Sequence, residues 1–147
     1  MKVYTIGFTQ KHARDFYESL KKENVNVLVD VRLNNTSQLA SFSKYPDIEY
    51  FLEEICKIKY IHDKYLAPTD SLLKRYKNKE VSWDEYETVF ANTMSSRNIE
   101  EYIKEKYGKY LDSNICLLCS EPTADKCHRR LVAAYFNKIF GAEISHI

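Results

Sequence analysis

The sequence predicts one α/β domain over residues 1–147: a mainly parallel, twisted sheet of about four or five strands, helices on both faces, and a helix-rich insert at about 69–110. Three observations predict it. Short apolar runs alternate along the chain with segments of helical period. One run, 25–31, is almost unbroken, as in a strand covered on both sides. A chain of 147 residues is long enough for one core and too short for two.

Val3-Tyr4-Thr5-Ile6 reads as the first strand, closed by Gly7, and Thr9 is placed to cap a helix that turns Ala13, Phe16, Tyr17 and Leu20 to one side. In the second strand, alternation sets Leu28, Asp30 and Arg32 on one face and Val27, Val29 and Val31 on the other. A polar loop, Asn34-Asn35-Thr36-Ser37, precedes a helix at about 47–56 and a short strand at 58–61. The insert is helical throughout, carrying Trp83, Tyr86, Val89, Phe90 and Met94, then Ile99, Tyr102 and Ile103. Residues 114–119 form a buried strand whose Cys116 and Cys119 fall on opposite faces. A helix with Leu131, Val132, Tyr135, Phe136, Ile139 and Phe140 inward follows, and 142–147 end the sheet.

Composition narrows the function. Lys and Arg number 22 against 21 Asp and Glu, so no basic coat for nucleic acid is present. The longest apolar run, 131–136, is too short for a membrane span, and the start of the chain lacks the apolar stretch of a secretory signal, so a cytoplasmic location is expected. The three glycines stand at 7, 108 and 141, which excludes both G-x-G-x-x-G and the P-loop. Cysteines at 56, 116, 119 and 127 are expected to be free thiols. The sequence leaves the cofactor unknown. Charge is uneven: Lys57, Lys59, Lys64, Lys74, Arg75, Lys77 and Lys79 face only Asp63 and Asp70 over 57–79, and this basic edge carries Tyr60, Tyr65 and Tyr76.

In open parallel sheets ligands bind beyond the carboxyl ends of the strands. Three such ends carry polar groups. The first is Gly7-Phe8-Thr9-Gln10, either a plain turn or a helix start offering N–H groups to an anion. The second is Asp30-Val31-Arg32, either an ion pair or two side chains directed into the crevice. The third runs from Cys119 and Glu121 through Asp125 to Cys127, His128 and Arg129. With Asp125 as helix cap, Cys127 and His128 occupy the first turn, where the dipole and Arg129 favour a thiolate or an anion. A buried structural thiol is the competing reading of Cys127. Cys119, Cys127, His128 and Glu121 are metal-ligand types, with His146 more remote, but the spacing between Cys119 and Cys127-His128 matches no common zinc pattern and no metal is assigned. His12 and His62 read as isolated surface residues.

Taken together, Thr5-Ile6-Gly7-Phe8, Asp30-Val31-Arg32, Cys119-x-Glu121 followed by Cys127-His128-Arg129, and Ser145-His146-Ile147 resemble the domain-of-unknown-function family numbered 488. The resemblance implies a compact α/β domain without an assigned reaction, and a site made of Asp30, Arg32, Cys119, Glu121, Cys127, His128 and Arg129. Where that family has a proline soon after Asp-Val-Arg, this chain has Asn34-Asn35, which implies a freer loop.

The resulting functional reading is a small α/β enzyme or binding site for a phosphate-bearing small molecule or nucleotide. Arg32 and Arg129, with Gly7, bind the anion. Asp30 and Glu121 orient it or exchange protons, and Cys127 or Cys119 is the nucleophile with His128 as base. Adjacent positions on a helix point apart, so a direct Cys127–His128 transfer is not expected. The alternative is a non-catalytic module that binds nucleic acid along the basic 57–79 edge.

Overall fold

A computed structural model describes residues 1–147. Five strands, β1 (Lys2–Gly7), β2 (Val27–Asp30), β3 (Lys59–His62), β4 (Asn114–Cys119) and β5 (Glu143–His146), form one sheet in the order β3-β2-β4-β1-β5. Every pairing is parallel. β4, late in the chain, lies between β1 and β2, so Gly7 stands opposite Cys119 and Asp30 opposite Leu118. The carboxyl ends of three strands thereby share one rim.

Alternation along the strands divides the core. One face carries Tyr4, Ile6, Leu28, Tyr60, Cys116 and Leu118 and is covered by α1 (Ala13–Lys22) and α2 (Asp47–Tyr50), which continues as a wider helical turn over Phe51–Cys56. The other carries Val3, Val27, Val29, Ile115 and Leu117. It lies under α3 (Asp70–Lys77), α4 (Trp83–Ser96), α5 (Ile99–Tyr107) and α6 (His128–Phe140). The doubly wound arrangement, the helical insert and the opposite placement of Cys116 and Cys119 agree with the pattern in the sequence. No helix is long and apolar enough to cross a membrane.

Two helix starts differ from expectation. α1 begins at Ala13 with His12 at its cap position, not at Thr9. Thr9 instead donates its hydroxyl to the Ser120 carbonyl at 2.7 Å, and its backbone N–H reaches the same oxygen at 3.2 Å. α6 is preceded by Cys127 in extended backbone, while Asp125 is exposed and caps nothing. In both places a loop between strand and helix, invisible to helical periodicity, decides where the helix starts.

Candidate functional site

On the α1/α2 face of the rim, the Asp30 side chain follows Leu28 and meets Tyr60, which stands opposite Leu28 on β3. Asp30 is 0% exposed. Its carboxylate accepts Nε and Nη2 of Arg32, both at 2.7 Å, the Tyr60 hydroxyl at 2.6 Å and the Asn35 amide at 3.4 Å. The Arg32 guanidinium is completed by Ser43, through Oγ at 3.1 Å and the carbonyl at 2.8 Å, and lies over the Phe8 ring. Burial would lower the arginine pKa, but the hydrogen bonds and charge of Asp30 outweigh it and the net direction is upward. This is a closed ion pair in which every side-chain nitrogen and oxygen has a partner. Asn35, expected to loosen the loop, ties it down: its amide donates to Tyr60 at 2.9 Å and its carbonyl accepts the Tyr45 N–H.

On the opposite face stand Cys119 at the end of β4 and Cys127, His128 and Arg129 at the start of α6, all buried. A backbone carbonyl only accepts, so the 2.8 Å contact from His128 Nε2 to the Val31 carbonyl fixes the proton on Nε2. Nδ1 is then directed at the Cys119 sulfur, 3.4 Å away. The pairing is Cys119 with His128, not Cys127 with His128. The neighbouring Cys127 thiol lowers the Cys119 pKa against the opposing effect of burial, and the backbone N–H of Ser120 adds to the lowering. Cys127 is pushed up by its proximity to Cys119 and by burial. The three ligand atoms, one from each of Cys119, Cys127 and His128, lie within 4.8 Å of one another. Spacing hid this set because β4 and α6 are joined by a loop that returns on itself. Glu121, a fourth ligand type, keeps its side chain exposed and contributes its carbonyl to Arg129 at 2.6 Å.

Arg129 is 1% exposed and has no carboxylate partner. Besides the Glu121 carbonyl, it donates to Thr5 Oγ1 at 3.2 Å and to Cys127 Sγ at 3.6 Å. His146 joins this side through Thr5, its Nδ1 lying 2.6 Å from Oγ1, and its pKa is lowered by burial and by the charges of Arg129 and Arg130. Gly7 serves the loop: a Cβ there would lie 1.7 Å from the Glu121 carbonyl oxygen, so the loop after β4 crosses β1 only where no side chain stands.

The structure therefore separates the two arginines expected to share an anion. Arg32 follows Asp30 onto one face, and Arg129 follows Thr5 onto the other. A cavity of about 120 Å³ does bring much of the rest together. Arg32, Cys119, Glu121, Cys127 and His128 border it, and Asp30 and Arg129 do not. The insert supplies the remaining wall with Tyr76, Trp83 and Tyr86, the last two stacked 5.0 Å apart, and Lys77 and Lys126 stand exposed at the mouth. Lys126, Trp83 and Tyr86 had no site signal in the sequence; Lys77 and Tyr76 belonged to the basic edge, but helical periodicity cannot aim them at a particular strand end. His62 is half-buried, its Nε2 2.7 Å from the Arg32 carbonyl, and so is not a free surface residue.

A parallel doubly wound sheet with a cysteine–histidine cluster and a cavity at its carboxyl rim defines a class of small α/β protein. Within that class, the chain belongs to the family described as Domain of unknown function DUF488, whose model matches residues 12–136. The match contains the Asp30-Val31-Arg32 and Cys119 to Arg129 segments, while Thr5-Ile6-Gly7-Phe8 and Ser145-His146-Ile147 lie outside it. No curated protein and no solved structure matches the chain.

Proposed function

We propose that the cavity at the ends of β2 and β4 receives the anionic end of a small phosphate-bearing molecule, and that Cys119, Cys127 and His128 are the reacting groups of an enzyme active site. The observation that carries this reading is the convergence of that cluster with Lys77 and Lys126 on one cavity. A phosphate-sized group fits the interior of about 120 Å³, and the remainder of the ligand would extend along Tyr76 and Trp83 toward solvent. His128, with its proton fixed on Nε2, presents a lone pair on Nδ1 toward the cluster and can accept a proton there. Arg32 and Asp30 act as a brace that holds the β2 loop forming one lip.

Isothermal titration with inorganic phosphate and adenosine monophosphate tests the reading. Binding is expected, and the Lys77→Ala/Lys126→Ala double variant should weaken it about tenfold. Equal affinity in the variant, or no binding to the wild type, would overturn it. Should a single-stranded oligonucleotide bind instead, with affinity that falls steeply with salt and depends on Lys57, Lys59 and Lys64, the nucleic-acid alternative replaces it.

A further inference from the structure

We propose that Cys119, Cys127 and His128 hold a zinc ion through two sulfurs and Nδ1, leaving a fourth coordination position directed into the cavity. This rests on the reading above for the cavity and revises it for the cluster: with zinc bound, the two sulfurs and Nδ1 serve as ligands, and the ion takes over as the reacting centre. Two thiolates and an imidazole form a soft donor set suited to Zn²⁺ and unsuited to Mg²⁺ or Ca²⁺. A tetrahedral zinc with bonds of about 2.3 Å to sulfur and about 2.0 Å to nitrogen sets those two ligand atoms roughly 3.5 Å apart. Cys119 Sγ and His128 Nδ1 are 3.4 Å apart, and all three donor atoms fall within 4.8 Å, so little closure is needed.

The surroundings support ligation independently of the donor set. Histidines bound to a metal through one nitrogen ordinarily donate the other N–H to a carbonyl or carboxylate, which fixes the tautomer. His128 does this to Val31, freeing Nδ1 and not Nε2 for the ion. Arg129 is buried without a carboxylate, although a lone buried charge is costly. Its Nη1 meets the Cys127 sulfur at 3.6 Å, the nearest side-chain group able to carry an opposite charge. Zinc ligation ionises that sulfur and gives the guanidinium its counter-charge. Three protein ligands bordering a cavity are the pattern of a reactive centre and not of a closed structural site. A phosphate oxygen entering past Lys126 would then meet the metal at its open position.

The full chain, reduced and freed of metal, is titrated with Co²⁺ in phosphate-free buffer and then with Zn²⁺. One equivalent of Co²⁺ should produce a sulfur-to-cobalt charge-transfer band and the intense visible absorption of four-coordination, and zinc should abolish both stoichiometrically. Cys119→Ser, Cys127→Ser and His128→Ala should each lose one-to-one binding, while Cys56→Ser retains it. If a ligand variant fails to fold, the wild type decides: absence of the charge-transfer band, or a band that persists after one equivalent of zinc, overturns the proposal, as does full binding in any folded ligand variant. Lys77→Ala/Lys126→Ala should bind zinc normally, so wild-type phosphate affinity in that variant, with zinc retained, would remove the anion reading of the cavity and leave the metal site standing.

Discussion

The two faces of the carboxyl rim each bury an arginine at the end of the sheet, and they treat it in opposite ways. Arg32 is locked against Asp30 by two hydrogen bonds, and Ser43, Tyr60 and Asn35 complete the pair. Arg129 rests on a carbonyl, a hydroxyl and a sulfur, with no carboxylate beside it. The first arrangement is electrically closed and holds a loop. The second is open, and the nearest group to its missing counter-charge is the Cys127 sulfur. The contrast teaches that charge and burial alone do not tell the two faces apart: the unmatched charge does.

The largest effect should come from opening the closed side. Asp30→Ala leaves Arg32 buried without its partner and should cost about 3–5 kcal/mol in urea unfolding. A loss no greater than that of a surface substitution would break the contrast. Next, Gly7→Ala forces the loop after β4 off β1 and should cost about 1–3 kcal/mol, with the Cys119 to Arg129 cluster disturbed and Asp30–Arg32 intact. Amide chemical shifts that move near Ser43 as much as near Cys127 would contradict it. Arg129→Met removes a charge that no carboxylate matches, so the metal-free protein should stay within about 1 kcal/mol of wild type in the same unfolding assay. A loss equal to that of Asp30→Ala would make both faces structural. The smallest effect is electrostatic. Because the folded state lowers the His146 pKa from 6.5, chiefly through burial and then through Arg129 and Arg130, it favours the neutral ring. Stability from this group is therefore present above 6.5 and declines as pH falls through 6.5 toward the folded value. His146→Gln should remove that small slope from melting curves taken between about pH 7 and pH 5.

Much of the architecture was legible because strand alternation is a local property. Leu28 and Asp30 against Val27 and Val29, and Cys116 against Cys119, could be assigned to faces from spacing alone. That same alternation already separated Arg32 from the α6 side, yet the two arginines were expected to share an anion, because strand-end position was weighed above face. What spacing could not convey was the course of the 120–127 loop. Its return across Gly7 brings Cys127 back to Cys119, hands the Glu121 carbonyl to Arg129 and leaves Thr9 bonded to Ser120. Nor could it show that Tyr76, Lys77 and Trp83, far from any strand end in sequence, would close the cavity, since helix packing across a sheet depends on tertiary contacts.

The position of β4 between β1 and β2 has a consequence for how the molecule is made. During synthesis from the amino terminus, β2 can join β3 early, but β1 has no partner until residues 114–119 leave the ribosome. The nascent chain thus carries an apolar first strand with bare edges for most of its elongation, a period in which chaperone capture or intermolecular pairing competes with folding. Arrival of β4 then joins the two halves of the sheet, and the same segment carries Cys119 to the rim where Cys127 follows it.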